Sequence, residues 1–117
     1  MFRDELKKLT ERVPGAQGAL IMGLDGITVD KFEPGDLNLD ALSAEYLSLV
    51  KQTAETNEEL GIGRVQEMNF ITDRLVAILM SITHEYFLVL ALPPNGNFGR
   101  ARYETRKSTL GLADELS

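Results

Sequence analysis

Leu75-Val76-Ala77-Ile78-Leu79-Met80-Ser81-Ile82-Thr83-His84-Glu85-Tyr86-Phe87-Leu88-Val89-Leu90-Ala91-Leu92 holds two apolar runs parted by Thr83, His84 and Glu85. Neither run alternates with polar residues, as a half-exposed strand would, so each reads as a strand covered on both faces. The break is too short for a crossover helix, so the two strands form an antiparallel hairpin. A hairpin buried on both sides needs helices above and below it. A bilayer helix of about 20 residues has a similar length. Against it stand His84 and Glu85 near the centre, which are expensive in hydrocarbon, and the β-branched and aromatic content.

The flanking sequence supplies the helices. Phe2, Leu6, Leu9 and Val13 fall at helical spacing before Pro14-Gly15. Gly18 to Gly23, nearly all small or apolar, reads as a central strand. Asp25-Gly26 turns it into a second strand, Ile27 to Phe32, whose Asp30 and Lys31 mark an edge. Asn38 is placed to cap a long helix from Leu39 to about Leu60, with Gly61 as its stop. Leu39, Leu42, Tyr46, Leu47, Leu49, Val50 and Ala54 make its expected inward face, whereas Ala41, Ala44 and Ser48 cluster opposite, flanked by Glu45, Gln52 and Glu55. Small residues there permit close approach of a second helix. Alanine as a plain helix former is the simpler explanation.

Val65 to Thr72 reads as a third strand, with Glu67 and Asn69 pointing opposite to Met68 and Phe70. After the apolar hairpin, Asn97 can cap a last helix from Phe98 to about Leu116, with Phe98, Ala101, Thr105, Thr109, Leu112, Ala113 and Leu116 inward. The expected fold is therefore α+β within the α/β class, with element order αββαβββα. It is a five-stranded antiparallel sheet of order 2-1-5-4-3 with helices on both faces. Charge protects strand two, but strand three is an apolar edge with little beyond Glu67 to shield it. Such an edge invites another strand, and the natural partner is its own copy across a two-fold axis. The expected homodimer seam is Val65, Glu67, Met68, Asn69, Phe70 and Ile71, with Ala41, Ala44 and Ser48 from the paired long helices.

Composition removes several functions. A chain of 117 residues reads as one domain spanning 1–117. It has no cysteine and one histidine, so neither disulfides nor a thiolate or histidine-rich metal site is expected, and no cofactor. A net charge of −6 argues against nucleic acid, whose phosphates demand basic residues. Met1 to Arg12 is charged throughout and carries no apolar signal core, so the expected location is the cytoplasm without membrane insertion. There is no G-x-x-x-x-G-K-[ST] phosphate loop; Gly61-Ile62-Gly63-Arg64 has the wrong spacing and reads as a helix stop before a strand. His84 reads as a turn residue lacking a nucleophile and orienting acid, and Glu58-Glu59 as solvated charge.

Arg100, Arg102, Arg106 and Lys107 crowd the early and middle last helix, while Asp114 and Glu115 sit near its end, both against the helix dipole. Either Glu104 and neighbouring acids compensate these cations, or they form a basic patch for an acidic partner.

The hairpin Gly18-Ala19-Leu20-Ile21-Met22-Gly23-Leu24-Asp25-Gly26-Ile27 resembles the roadblock/dynein light chain family, including its bacterial branch that regulates small Ras-like GTPases. So do the alanine-containing long helix, the three-stranded meander and the closing Asn97-Phe98-Gly99-Arg100-Ala101-Arg102. The resemblance implies a dimer joined through the third strand and second helix, whose paired second helices form a platform for a GTPase. It also implies activation by reshaping the GTPase rather than by an inserted arginine. On that reading Glu45, Gln52 and Glu55 contact the partner, and the chain is a non-catalytic regulator. Relatives that use a tail after the last helix have no counterpart in the residues read here. The alternatives are a light-chain-like scaffold or adaptor without effect on hydrolysis and, ranked last, a small-molecule sensor. The sensor would need a polar-lined pocket, and the core strands offer only Ser81 and Thr83.

Overall fold

The structure is a computed structural model describing residues 2–116. Its elements are α1 (Arg3–Arg12), β1 (Gly18–Gly23), β2 (Thr28–Phe32), α2 (Leu39–Leu60), β3 (Glu67–Ile71), β4 (Val76–Ser81), β5 (Tyr86–Leu92) and α3 (Phe98–Leu116). The five strands form one antiparallel sheet in the order β2-β1-β5-β4-β3. Strand three is shorter than the expected Val65 to Thr72.

β4 and β5 pair Ala77 with Ala91, Ile78 with Leu90, Leu79 with Val89 and Met80 with Leu88. Because side chains alternate across a sheet, this register splits the apolar residues into two cores. Ile21, Ile78, Met80, Leu88 and Leu90 pack beneath α1 and α3, with Leu6, Leu9 and Leu112. Leu20, Met22, Leu79 and Val89 pack beneath α2, with Leu39, Leu47 and Val50. The absence of alternation in the strands thus has its cause: each face has its own helical cover.

The cover is locked on both faces of the sheet. Arg12 on α1 donates from Nε to Glu104 at 3.0 Å and from Nη2 to Glu5 at 2.9 Å, and Ser108 Oγ donates to Glu5 at 2.9 Å. Glu104 is buried despite its charge, which is tolerable because the guanidinium meets it. At the β2 edge, Lys31 pairs with Asp40 of α2 and, at 2.8 Å, with Glu33. The Lys31 ammonium first, then the Thr28 hydroxyl at 2.6 Å, hold the Asp40 carboxyl below its ordinary range. Arg3 covers the same edge, stacking on Phe32 and donating to the Lys31 carbonyl. No described helix is long and apolar enough to cross a membrane.

Candidate functional site

The opposite sheet edge is open. β3 pairs with β4 on one side and with no described strand on the other. Met68 and Phe70 turn toward the α2 core, whereas Glu67 turns to the other face and meets α3. Arg102 donates to Glu67 from Nε at 2.5 Å and from Nη2 at 2.8 Å; Arg106 donates at 3.2 Å, and Asn69 Nδ2 at 2.7 Å. The Arg102 guanidinium foremost, helped by the Asn69 amide and by Arg106, pulls the Glu67 carboxyl down to about 2. This corrects the expectation for the last helix: the acid that compensates Arg102 and Arg106 is Glu67 on the edge strand, while Glu104 is taken by Arg12. Asn69 Oδ1 is buried without a hydrogen-bond partner, and Ile71 is 68% exposed. Val65 lies just before the strand and is half-buried.

α2 flanks this edge. The Asn38 side chain accepts from the Ala41 N–H at 3.1 Å and starts the helix. Gly61 ends it with φ +66°, and its N–H returns to the Glu58 carbonyl, a left-handed stop that glycine takes without strain. Two contacts orient the helix on the sheet. Asp40 reaches β2, and Tyr46 stacks on Phe70 of β3 with ring centroids 3.9 Å apart. At about 100° per residue, Leu42 and Leu49 fall on the Tyr46 side, beside the open edge. Ala41, Ser48 and Gln52 point away from the sheet, and Ala44 and Glu55 lean toward β2. All of Ala41, Ala44, Glu45, Ser48, Gln52 and Glu55 are exposed.

Leu49 departs from its expected inward place, being 42% exposed. The reason is geometric: it sits beyond Tyr46 on the β3 flank, where the sheet has ended and no described strand lies beneath it. An apolar count along a helix marks the residue as buried but cannot tell that the sheet stops short of it.

No described group of three or more His, Asp or Glu residues could hold a metal ion. His84 is exposed in the β4–β5 turn, and Glu58 and Glu59 are exposed at the end of α2. What the site offers is surface: an open strand, an apolar flank beside it and an uncommitted helix face.

The model of the Roadblock/LC7 domain matches residues 3–92. This chain belongs to the Roadblock/LC7 family. Members are generally non-catalytic. Among solved structures, this Roadblock/LC7 chain is similar to MglC from Myxococcus xanthus, at 35% identity, 98% coverage of both chains and TM-score 0.70. It is also similar to the gliding protein MglB from Thermus thermophilus, at 21% identity, covering 97% of this chain and 88% of that one, with TM-score 0.85. A Roadblock/LC7 domain from Streptomyces avermitilis shares 16% identity and a TM-score of 0.84, covering 95% and 93%. Those two likenesses concern the fold. Among curated proteins no match is found. The Roadblock/LC7 match ends at residue 92, so α3, with its arginines, lies outside it.

Proposed function

We propose that this Roadblock/LC7 domain is a homodimeric regulatory module that binds a small Ras-like GTPase in the cytoplasm. The supporting observation is the open edge of β3, tied through Phe70 and Tyr46 to a long helix whose outer face serves nothing in the monomer. Antiparallel pairing of Glu67, Met68, Asn69, Phe70 and Ile71 with a second copy, with Val65 at its margin, closes the edge. The same pairing brings the two α2 helices together along their β3 flanks, so Leu49 and Leu42 take the helix part of the seam. Ala41 and Ser48 then floor the outward face of each helix in a joint shelf, with Ala44 toward its β2 side and Glu45, Gln52 and Glu55 as its polar contacts to the GTPase. A second copy also supplies polar groups to the buried Asn69 Oδ1.

The family and the likeness to MglC and MglB support a regulatory role. Stimulation of hydrolysis, where it occurs, works by biasing the GTPase toward a catalytic arrangement of its own residues. The test mixes the protein with the Ras-like GTPase encoded nearest to it, in each nucleotide state, and follows complex formation and phosphate release. A complex weakened about tenfold by Glu45→Lys or Glu55→Lys is expected, since each charge reversal opposes a partner contact. A complex without faster phosphate release assigns the adaptor role. No complex in either nucleotide state contradicts the proposal.

A further inference from the structure

α3 carries an exposed stripe outside the core, of which the β3 edge engages only Arg102 and Arg106 through Glu67. Tyr103 is 64% exposed and Leu110 73% exposed. Between them runs a shallow groove of about 420 Å³ lined by Gly99, Arg102, Tyr103, Arg106, Lys107 and Leu110. Its fringe is basic in a protein of net charge −6. Arg102 is held by Glu67 and lies over the Phe98 ring, and Arg106 shares the same carboxylate. Arg100 donates to the Arg12 carbonyl at the C-terminal end of α1, and Lys107 is not among the cations on Glu67. Two arginines thus share one acid, and Arg100 and Lys107 add positive charge beside them, Arg100 in the first turn of α3 where the helix dipole disfavours it. Gly99 keeps the groove floor open: a Cβ there would meet nothing closer than Asn97 Oδ1 at 3.7 Å, which leaves room for an approaching backbone.

We propose that this stripe is a docking site for an acidic amphipathic helix of a partner protein. Gly99 to Leu110 spans roughly 16 Å at 1.5 Å per residue, about three turns, which suits anchors at i, i+4 and i+7 of a bound helix. The apolar anchors seat beside Tyr103 and Leu110, and glutamates or aspartates meet Arg106, Lys107 and Arg100. A protein segment fits better than an anionic membrane. A narrow segment samples only this local basic strip, whereas a lipid surface also meets the acidic remainder of the molecule. The stripe lies across the sheet from α2, so the inference stands apart from the GTPase shelf, and a dimer using both faces would tether two partners.

The test is fluorescence anisotropy on the full chain. The probe is a fluorescein-labelled synthetic helix with leucines at i, i+4 and i+7 and glutamates on its other face. The controls are the same peptide with lysines in place of glutamates, and phosphatidylserine vesicles. Saturable binding is expected, weakened about tenfold or more by Lys107→Glu and by Leu110→Ala, as removal of an anchor does. Gly99→Leu should abolish binding while raising Tm, which separates a filled groove from a damaged fold. Glu45→Lys on α2 should leave peptide binding unchanged, so failure here and failure at the GTPase shelf are read separately. The proposal is overturned by absence of saturation, by equal binding of the lysine peptide, by indifference to all three α3 variants, or by vesicles bound in preference to the acidic peptide.

Discussion

The Tyr46 ring lies flat on the Phe70 ring, with centroids 3.9 Å apart and planes 5° from parallel. One ring comes from the middle of α2 and the other from the edge strand β3. This stack makes the strand and the helix a single unit, so whatever pairs with the strand also positions the helix.

Both rings are half-buried, so Tyr46→Ala and Phe70→Ala should each cost about 2 kcal/mol, below the roughly 3–5 typical of a fully buried aromatic. A double-mutant cycle by urea denaturation should return a coupling of about 1 kcal/mol for the stack. Strict additivity would mean that the two elements are held independently.

Glu67 supplies a pH signature. Its carboxyl is lowered from 4.5 to about 2 by Arg102 foremost, so the folded state holds the charged form more tightly than the unfolded chain does. The resulting stability is complete above pH 4.5 and is lost as pH falls toward about 2. Glu67→Gln should cost about 1 kcal/mol at neutral pH, modest because water and salt screen guanidiniums half in solvent. The difference from the parent protein should close as pH approaches 2 in a series of thermal melts. A gap that persists at low pH would assign the loss to packing instead.

Arg12 and Glu104 make a contrasting pair across the α1–α3 face. Arg12→Met strands the buried Glu104 without its cation and should cost about 3 kcal/mol in urea denaturation. The double variant Arg12→Met with Glu104→Leu should recover most of that loss, because well-packed apolar groups avoid the desolvation of both charges. A double variant no more stable than Arg12→Met alone would show that the hydrogen bonds to Glu5 and Ser108, not the ion pair, carry the contact.

Gly61 tests the helix stop. At φ +66° an added Cβ is strained although the surrounding space is open. Gly61→Ala should therefore lower stability by about 1 kcal/mol, and Gly61→Asn by less, since asparagine tolerates the left-handed region. Equal Tm values for Gly61→Ala and the parent protein would contradict the assignment.

The features legible in the sequence are those encoded locally. The two doubly buried strands, the Asn38 and Asn97 caps, the Gly61 stop and the strand order 2-1-5-4-3 follow from periodicity, capping chemistry and charge placement. Contacts between distant segments left no such trace. Arg12 finds Glu104 across 92 residues and Arg102 finds Glu67 across 35; nothing adjacent to either acid announces its cation. Proximity along the chain assigns Glu104 to the arginines on its own helix, yet it points to the other flank. Leu49 fails for a related reason, since its exposure depends on where the sheet ends rather than on its own residue type.

The most direct test of the central claim is sedimentation equilibrium at micromolar concentration, joined to amide hydrogen exchange across Glu67–Ile71. The account predicts a species of twice the 13.0 kDa chain mass, with β3 amides protected on both sides and protection lost as dilution splits the pair. A stable 13.0 kDa particle whose β3 amides exchange freely on the open side would contradict it.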